Sequence, residues 1–265
     1  MGLLIIGHIL ADFYFQTKRL AEKKKSSFWW MLLHGGVYTA TCYIIIMLVT
    51  NGGTISLLHA ASLGVLHIVV DAIKVKWDLK SSKHECVSFL IDQIIHISSI
   101  IIGCFIFKIP LQVEYYYIYR FFEIIDFAEL MVIAAAVLVC WKPAAIFVAL
   151  VFKDIPLTIE NANNDDECEK GAKTTKQKRN KKKEEQEESE VAKIGSWIGI
   201  LEREIILLLG LLGQYGAIGF VLTAKSLARY KQLEKKDFAE KYLVGTLLSC
   251  FIAFLNVAIC KMLIV

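Results

Sequence analysis

Long apolar runs alternate with short polar stretches along most of the chain. Seven apolar windows lie near residues 2–17, 28–50, 54–74, 87–109, 127–152, 204–223 and 243–263. Most of them reach the length of about 20 residues that a helix needs to cross the hydrocarbon core of a bilayer. The pattern therefore predicts an all-α protein, a polytopic transmembrane helical bundle of about six to seven membrane segments.

Composition supports this class of protein. Hydrophobic residues make up 56% of the chain and the mean hydropathy is +0.52, which exceeds what the core of a soluble domain requires. The first window carries His8 and Asp12 and lacks both a basic leading region and a small-residue cleavage site. We therefore expect it to be a retained helix and not a signal peptide.

Lysine and arginine in the short loops predict an orientation. The loops after the first and third windows are rich in lysine, whereas the loop between them, TNGGT, contains none. Cytoplasmic loops of membrane proteins carry an excess of these residues. We therefore expect the N-terminus to lie outside and the first and third loops to lie in the cytosol.

A charged, low-complexity stretch follows Phe152. Its basic run QKRNKKK is followed at once by an acidic run, so the charges nearly cancel and no nucleic-acid partner is expected. The predicted organisation is a four-helix membrane domain over 1–110, an additional membrane segment over 111–152 that is a candidate for interruption, a disordered charged linker over 153–193, and a C-terminal membrane module with an amphipathic basic helix over 194–265.

The sequence allows two topologies for the second half of the chain in the membrane. A single crossing by the window at 204–223 would leave the lysine-rich segment KSLARYKQLEKKDFAEKY outside, against the positive-inside tendency. An interruption in one of two windows resolves this conflict. Either Lys142-Pro143 divides the fifth window, or GQYG at 213–216 divides the sixth.

The first four predicted helices carry few ionisable residues, and these follow a pattern. Histidine and aspartate recur four residues apart on three of the helices, which places both side chains on one helix face. They also lie at a similar distance from the cytosolic lysines, so they form one layer in the cytosolic half of the bilayer. The seven residues are His8, Asp12, His34, His67, Asp71, Asp92 and His96.

Imidazole and carboxylate groups without thiolate suit a divalent metal, zinc first and manganese or iron as alternatives. All seven residues are candidate metal ligands, and Asp92 or Asp71 is the candidate catalytic base. Gln16 lies two turns beyond His8, and Lys74 lies on the face of Asp71. A structural hydrogen-bond network and a proton or ion pathway remain the alternatives.

These motifs resemble a family of bacterial integral-membrane proteins that is carried as a domain of unknown function. Its members show HxLADFxxQ, a downstream histidine, HxxxD and DQxxH. The matching residues here are His8 to Gln16, His34, His67 to Asp71 and Asp92 to His96. The resemblance covers roughly the first 110 residues. It implies a multi-pass protein of the bacterial cytoplasmic membrane, and the family brings no established activity.

The leading hypothesis is a membrane-embedded, metal-dependent hydrolase that acts on a lipid or another membrane-partitioned substrate from the cytosolic side. The bilayer and a lipid-like substrate are its expected partners. The main alternative is an ion- or proton-coupled transporter or sensor. A transporter needs polar groups at several depths, and the outer halves of the predicted helices nearly lack them. The third hypothesis is a structural membrane protein held together by the His/Asp layer.

Overall fold

A computed structural model of the chain describes residues 2–49, 53–80, 85–107, 127–154 and 194–264. The regular elements in these ranges are all helical, which confirms the predicted all-α class. Five of the described helices are long and apolar enough to cross a membrane. The predicted linker covers residues 153–193. Its first two residues belong to a described helix, Phe127–Asp154, and residues 155–193 lie outside the described ranges.

The N-terminal half forms a helical bundle. Helix α1 comprises Gly2–Ile9 and continues directly as a π-helical segment, Leu10–Phe15. The chain then forms α2 over Lys18–Lys23, α3 over Phe28–Val49, α4 over Thr54–Lys80 and α5 over Glu85–Ile106. The long helices α4 and α5 begin or end beyond the apolar windows of the sequence, because polar residues continue the helices at their ends.

The π-helical segment shapes the first turn of the chain. Such segments are rare and occur frequently at functional sites, and this one contains Asp12. It ends at Gln16, whose backbone is extended. Thr17 then caps α2, because its hydroxyl oxygen accepts a hydrogen bond from the Leu20 N–H at 3.3 Å. The chain thus turns sharply and α2 stays next to the bundle.

Glycine permits the close packing of α3 against α4. A Cβ added at Gly35 would lie 2.2 Å from Ile68 Cγ1, and one added at Gly64 would lie 1.8 Å from Thr39 Oγ1. Both distances are far inside van der Waals contact. Small residues at such positions let helix backbones approach closely in membrane proteins. The approach brings the polar faces of these two helices together.

The second half of the described chain contains five helices. They are α6 over Phe127–Asp154, α7 over 194–211, α8 over Tyr215–Ala228, α9 over Tyr230–Leu233 and α10 over Lys236–Ile264. Helix α6 joins the two halves, since it packs against α1 and α5 on one side and against α10 on the other. Its Asp154 carboxylate accepts hydrogen bonds from the backbone N–H groups of Glu85 and Cys86, which caps α5.

Helix α6 remains helical through Pro143. A proline inside a helix removes one backbone N–H and its ring disturbs the preceding turn, which leaves carbonyl groups there available to other donors. The Tyr14 hydroxyl donates to the Leu138 carbonyl at 3.0 Å, and Arg203 Nε donates to the Cys140 carbonyl at 2.7 Å. Side chains from both halves of the protein therefore support this turn of α6.

The sixth apolar window is divided. Helix α7 ends at Leu211, and Gly213 follows with a φ of +70°, in the left-handed region that favours glycine. Helix α8 then packs back against α7, with Ile206 and Ile218 in one buried apolar cluster. Of the two interruptions that the sequence left open, the chain breaks at GQYG and stays helical in the fifth window.

Replacing Gly64 by valine is expected to destabilise the bundle, because the new side chain overlaps Thr39 on α3. Overpacking of this kind costs about 1–3 kcal/mol. Thermal unfolding in detergent, followed by circular dichroism, should show a lower midpoint than for the wild type. Gly36→Val is the matched control, since nothing lies within 4 Å of a Cβ added at Gly36. Equal midpoints for the two variants would contradict the packing argument.

Candidate metal site

All seven predicted residues lie together inside the N-terminal bundle. They come from α1, the π-helical segment, α3, α4 and α5. Each of the four histidines is 1% exposed, and the three aspartates are exposed at 10% or less. The common depth predicted from the sequence therefore corresponds to one buried cluster of imidazole and carboxylate groups.

His34 and His67 form the centre of the cluster, with their Nε2 atoms 3.0 Å apart. Asp12 Oδ1 lies 3.5 Å from His34 Nε2 and 3.3 Å from His67 Nε2. Asp71 Oδ2 lies 3.4 Å and 3.7 Å from the same two nitrogens. Two triangles of possible ligand atoms therefore share the edge between the histidines, and each is closed by one carboxylate.

These distances match the spacing of ligand atoms around a metal ion. Zinc lies about 2.0–2.1 Å from imidazole nitrogen and carboxylate oxygen, so adjacent ligand atoms of a tetrahedral site are about 3.3 Å apart. The edges of the two triangles, from 3.0 to 3.7 Å, bracket that value. Two imidazoles and two carboxylates thus converge on one small space. The buried His/Asp cluster can hold a metal ion.

A second group of residues adjoins the central pair. His96 Nε2 lies 3.3 Å from Asp92 Oδ1, and the His96 ring stacks on that of His67 with the centroids 4.3 Å apart. Ligand atoms of Asp71, Asp92 and His96 all lie within 4.8 Å of one another. Groups able to exchange protons, or to hold a second ion, are therefore in place beside the central pair.

His8 closes the cluster on the side of α1. Its Nε2 is 3.2 Å from Gln93 Oε1, to which it can donate a hydrogen bond. Its Nδ1 is 3.7 Å from Asp12 Oδ2. The ligand atoms of His8, Asp12 and His67 form a further group within 4.8 Å. The π-helical segment therefore carries an aspartate that faces histidines from three different helices.

Several polar atoms of the cluster are buried and have no hydrogen-bond partner among the described residues. They include Asp12 Oδ1, Asp92 Oδ1 and His96 Nε2. An unsatisfied buried polar atom costs about 1–3 kcal/mol, and more when it is charged. Asp12 Oδ1 is also the atom that closes the first triangle. A cation among His34, His67 and Asp12 would remove this cost.

Two lysines neutralise the other carboxylates. Lys24 Nζ donates to Asp71 Oδ2 at 2.8 Å and to Gln16 Oε1 at 3.2 Å. Lys74 Nζ donates to Asp92 Oδ2 at 2.8 Å, although the sequence placed it on the face of Asp71. No lysine pairs with Asp12 among the described residues. Asp12 is therefore the carboxylate that most needs another cation.

Sequence reasoning missed three residues of this site: Lys24, Tyr38 and Gln93. The Tyr38 ring stacks on His67 with the centroids 3.8 Å apart. Tyr38 follows His34 by four residues, so the periodicity that identified the His/Asp pairs could have found it. Lys24 gave no such signal, because its loop position indicated only membrane orientation.

A cavity of about 400 Å³ opens the cluster toward the lysine-rich loops. The three aspartates of the cluster line it, together with two lysines that follow α2 and one lysine of α4. These residues are Asp12, Asp71, Asp92, Lys24, Lys25 and Lys74. Ile146 and Leu150 of α6 form part of the opposite wall. A polar molecule can therefore reach the carboxylates from the lysine-rich end of the bundle.

An apolar groove of about 540 Å³ runs along α4 and α5 and reaches the same place. Its walls are Val70, Ile73, Trp77, Val87, Ile91 and Ile95. It also includes Lys74 and Asp92, which belong to the polar cavity as well. The side chains of Ile73, Trp77 and Ile91 are at least half exposed. An apolar chain lying in this groove would have its end at the polar cluster.

His59 stays outside the cluster, as the sequence indicated. It is 1% exposed, it stacks on Phe107 with the ring centroids 4.7 Å apart, and neither ring nitrogen has a hydrogen-bond partner. It lies on α4, as His67 does. His59 is therefore a chemically matched reference for the histidines of the site.

Comparison with known proteins supports the resemblance to an uncharacterised family. Residues 1–122 match the family model described as "Protein of unknown function (DUF3307)". This region contains all seven residues of the cluster. No curated protein and no solved structure matches the chain. The chemistry of the site must therefore be argued from its own geometry.

The wild-type protein is expected to carry close to one divalent metal ion per chain, and His67→Ala is expected to lose it. Removing one ligand of a central pair leaves too few groups to hold the ion. Elemental mass spectrometry of protein purified in detergent measures the metal content. His59→Ala removes the same buried ring from the same helix and should keep the metal.

Two results would count against the site. One is a His67→Ala variant that keeps the wild-type metal content. The other is a folded wild type that contains no metal and takes up none when zinc, manganese or iron is added.

Proposed function

We propose that this protein is a membrane-embedded, metal-dependent hydrolase whose substrate is a lipid or another membrane-partitioned molecule. The observation that carries the proposal is the pair of triangles formed by His34, His67, Asp12 and Asp71, at a spacing that suits a metal ion. The pair lies where a polar cavity and an apolar groove meet.

His34, His67 and Asp12 are the ligands that we assign first. A catalytic zinc site has three protein ligands and an open position for water or substrate. Asp71 can act as a fourth ligand, but its Oδ2 already accepts a hydrogen bond from Lys24. Zinc suits this donor set best, and manganese or iron also bind imidazole with carboxylate. The metal, when bound, would supply an activated water and polarise the substrate.

Asp92 is the residue that we assign as general base, with Asp71 as the alternative. One oxygen of Asp92 is held in place, since Oδ2 accepts from Lys74 and from Gln93. The other oxygen, Oδ1, faces His96 Nε2 at 3.3 Å and accepts no hydrogen bond from the described residues. An oriented carboxylate with such an oxygen can take a proton from water and return it to the leaving group.

The two openings support an amphiphilic substrate. The acyl chain would lie in the apolar groove along α4 and α5, and the polar part would lie beside Lys74 and Asp92, where the groove meets the cavity. Pockets of 300–1,000 Å³ lined mostly by apolar side chains with a few polar groups are typical ligand sites. A substrate in this position reaches the site from the bilayer without crossing water.

We further propose that the site opens toward the cytosol in the bacterial cytoplasmic membrane. Lys24 and Lys25 line the mouth of the cavity, and the first loop to which they belong is among the most lysine-rich of the short loops. The positive-inside tendency assigns such loops to the cytosol.

Asp92→Asn is expected to lower the hydrolysis rate by about 10²–10⁴-fold while the metal content stays at the wild-type level. The amide keeps the shape of the side chain and removes the base. The substrate is first found by incubating wild-type protein with a panel of diacyl, N-acyl and phosphodiester lipids and detecting products by mass spectrometry. Activity should disappear with a chelator and return with added metal.

An Asp92→Asn variant with the wild-type rate would contradict the assigned base. A metal-loaded protein that hydrolyses no lipid, but moves ions or protons across proteoliposomes, would replace the hydrolase by the transporter alternative. The metal measurement and the activity measurement thus test separate parts of the proposal.

Ile91→Trp is expected to raise the KM for long-chain substrates several-fold, because the larger ring fills the groove. A short-chain analogue of the same substrate should react at the wild-type rate. The matched control is Ile94→Trp, since Ile94 is exposed on the same helix and does not line the groove. If Ile91→Trp raises the KM for long-chain substrates no more than Ile94→Trp does, the groove is not the binding site of the acyl chain.

A further inference from the structure

A second polar cavity lies on the other side of α6, in the C-terminal half of the protein. Its volume is about 380 Å³ and its walls come from α6, α7, α8 and α10. The small residues Ala145, Ala149, Gly195, Gly199 and Gly245 leave the space open. This cavity shares no residue with the one at the His/Asp cluster.

Positive charge dominates this cavity. Four cationic side chains and one carboxylate line it: Arg203, Lys225, Arg229, Lys241 and Glu202. Lys225 Nζ lies 2.5 Å from Glu202 Oε2 and also donates to Thr246 Oγ1 at 3.1 Å, so these two charges cancel. The other three cations form no ion pair within the described part of the chain. The cavity therefore has an excess of three positive charges.

Arg203 is the buried member of the three, at 2% exposure. Its Nε donates to the Cys140 carbonyl at 2.7 Å, and its two terminal nitrogens lie 3.4 Å from Ser249 Oγ and from the Trp141 carbonyl. These partners are neutral. Glu202 and Glu204 interact with Arg203 electrostatically, but neither forms an ion pair with it within the described part of the chain. A buried charge normally has a counter-ion, and arginine is the residue best suited to phosphate.

Two further positive charges come from Arg229, at the end of α8, and from Lys241, on α10. The Arg229 guanidinium lies 6.0 Å from the ring centroids of both Phe238 and Tyr242, which holds it beside the cavity by cation–π interaction. The Tyr242 hydroxyl is in turn 3.1 Å from Ser226 Oγ. Arg229 is therefore held by aromatic neighbours, and among the described residues it forms no ion pair with a carboxylate.

We propose that this cavity binds a phosphate group, and that the phosphate belongs to the headgroup of an anionic phospholipid. The lipid source follows from position. The cavity lies at the ends of apolar helices, where α6 finishes and α10 begins, and such ends meet the headgroup layer of a bilayer. Free inorganic phosphate has the same charge and oxygen atoms, so the test separates the two sources.

The test uses the full-length protein in phosphate-free detergent solution. Native mass spectrometry measures binding of dioctanoyl phosphatidylglycerol, of dioctanoylglycerol, which lacks the phosphate, and of inorganic phosphate. The cavity variant is Arg229→Gln/Lys241→Gln. The matched control is Lys231→Gln/Lys235→Gln, which removes the same charge from exposed positions that do not line the cavity.

Wild type and control are expected to bind the phospholipid equally within about twofold, and the cavity variant at least about tenfold more weakly, because two charge-assisted contacts are lost. Dioctanoylglycerol lacks the phosphate, so whatever amount of it binds, at the groove of α4 and α5 included, should be the same for the cavity variant and the control. Inorganic phosphate binding with the same sensitivity to the cavity variant, without phospholipid binding, would support the phosphate site and overturn the lipid source. Should the double variant aggregate, Lys241→Gln alone gives the same test with a smaller loss.

The proposal fails if wild type binds neither phosphate probe. It also fails if the cavity variant and the control bind the phospholipid equally, or if the cavity variant weakens dioctanoylglycerol binding as much as phospholipid binding. None of these measurements involves the metal or the hydrolysis reaction.

Discussion

Mutual neutralisation of buried carboxylates and bases is the constraint on which the N-terminal bundle depends. A carboxylate in apolar surroundings is costly unless a cation or several donors face it. Asp71 and Asp92 each have a lysine at 2.8 Å, whereas Asp12 faces histidines. The close approach of α3 to α4 at Gly64 makes this neutralisation possible, because helices farther apart could not bring these groups together.

The sequence was sufficient for the helical class and for the membership of the His/Asp cluster, since spacing along a helix and distance from the nearest loop are local quantities. It was not sufficient for the pairing within the cluster. Lys74 pairs with Asp92 on a neighbouring helix and not with Asp71 on its own. Such choices depend on how each helix is rotated, and rotation is decided by contacts between helices that are distant in sequence.

The second half of the chain shows the same division between local and distant causes. Gly213 ends α7 through its own backbone conformation, which a sequence can suggest. Pro143 has as strong a tendency to interrupt a helix, yet α6 continues through it, and Tyr14 and Arg203 donate to carbonyls of the preceding turn. Neither donor is near Pro143 in the sequence, so the two interruptions could not be ranked in advance.

The position of α6 has a consequence for how the protein can be divided or recombined. The matched family segment ends at residue 122, but Ile146 and Leu150 complete the wall of the metal-site cavity and Asp154 caps α5. In this chain the matched segment therefore does not contain the whole site. Truncation after the matched segment, or transplantation of it into a chimaera, would remove one wall of the site while leaving every candidate ligand in place.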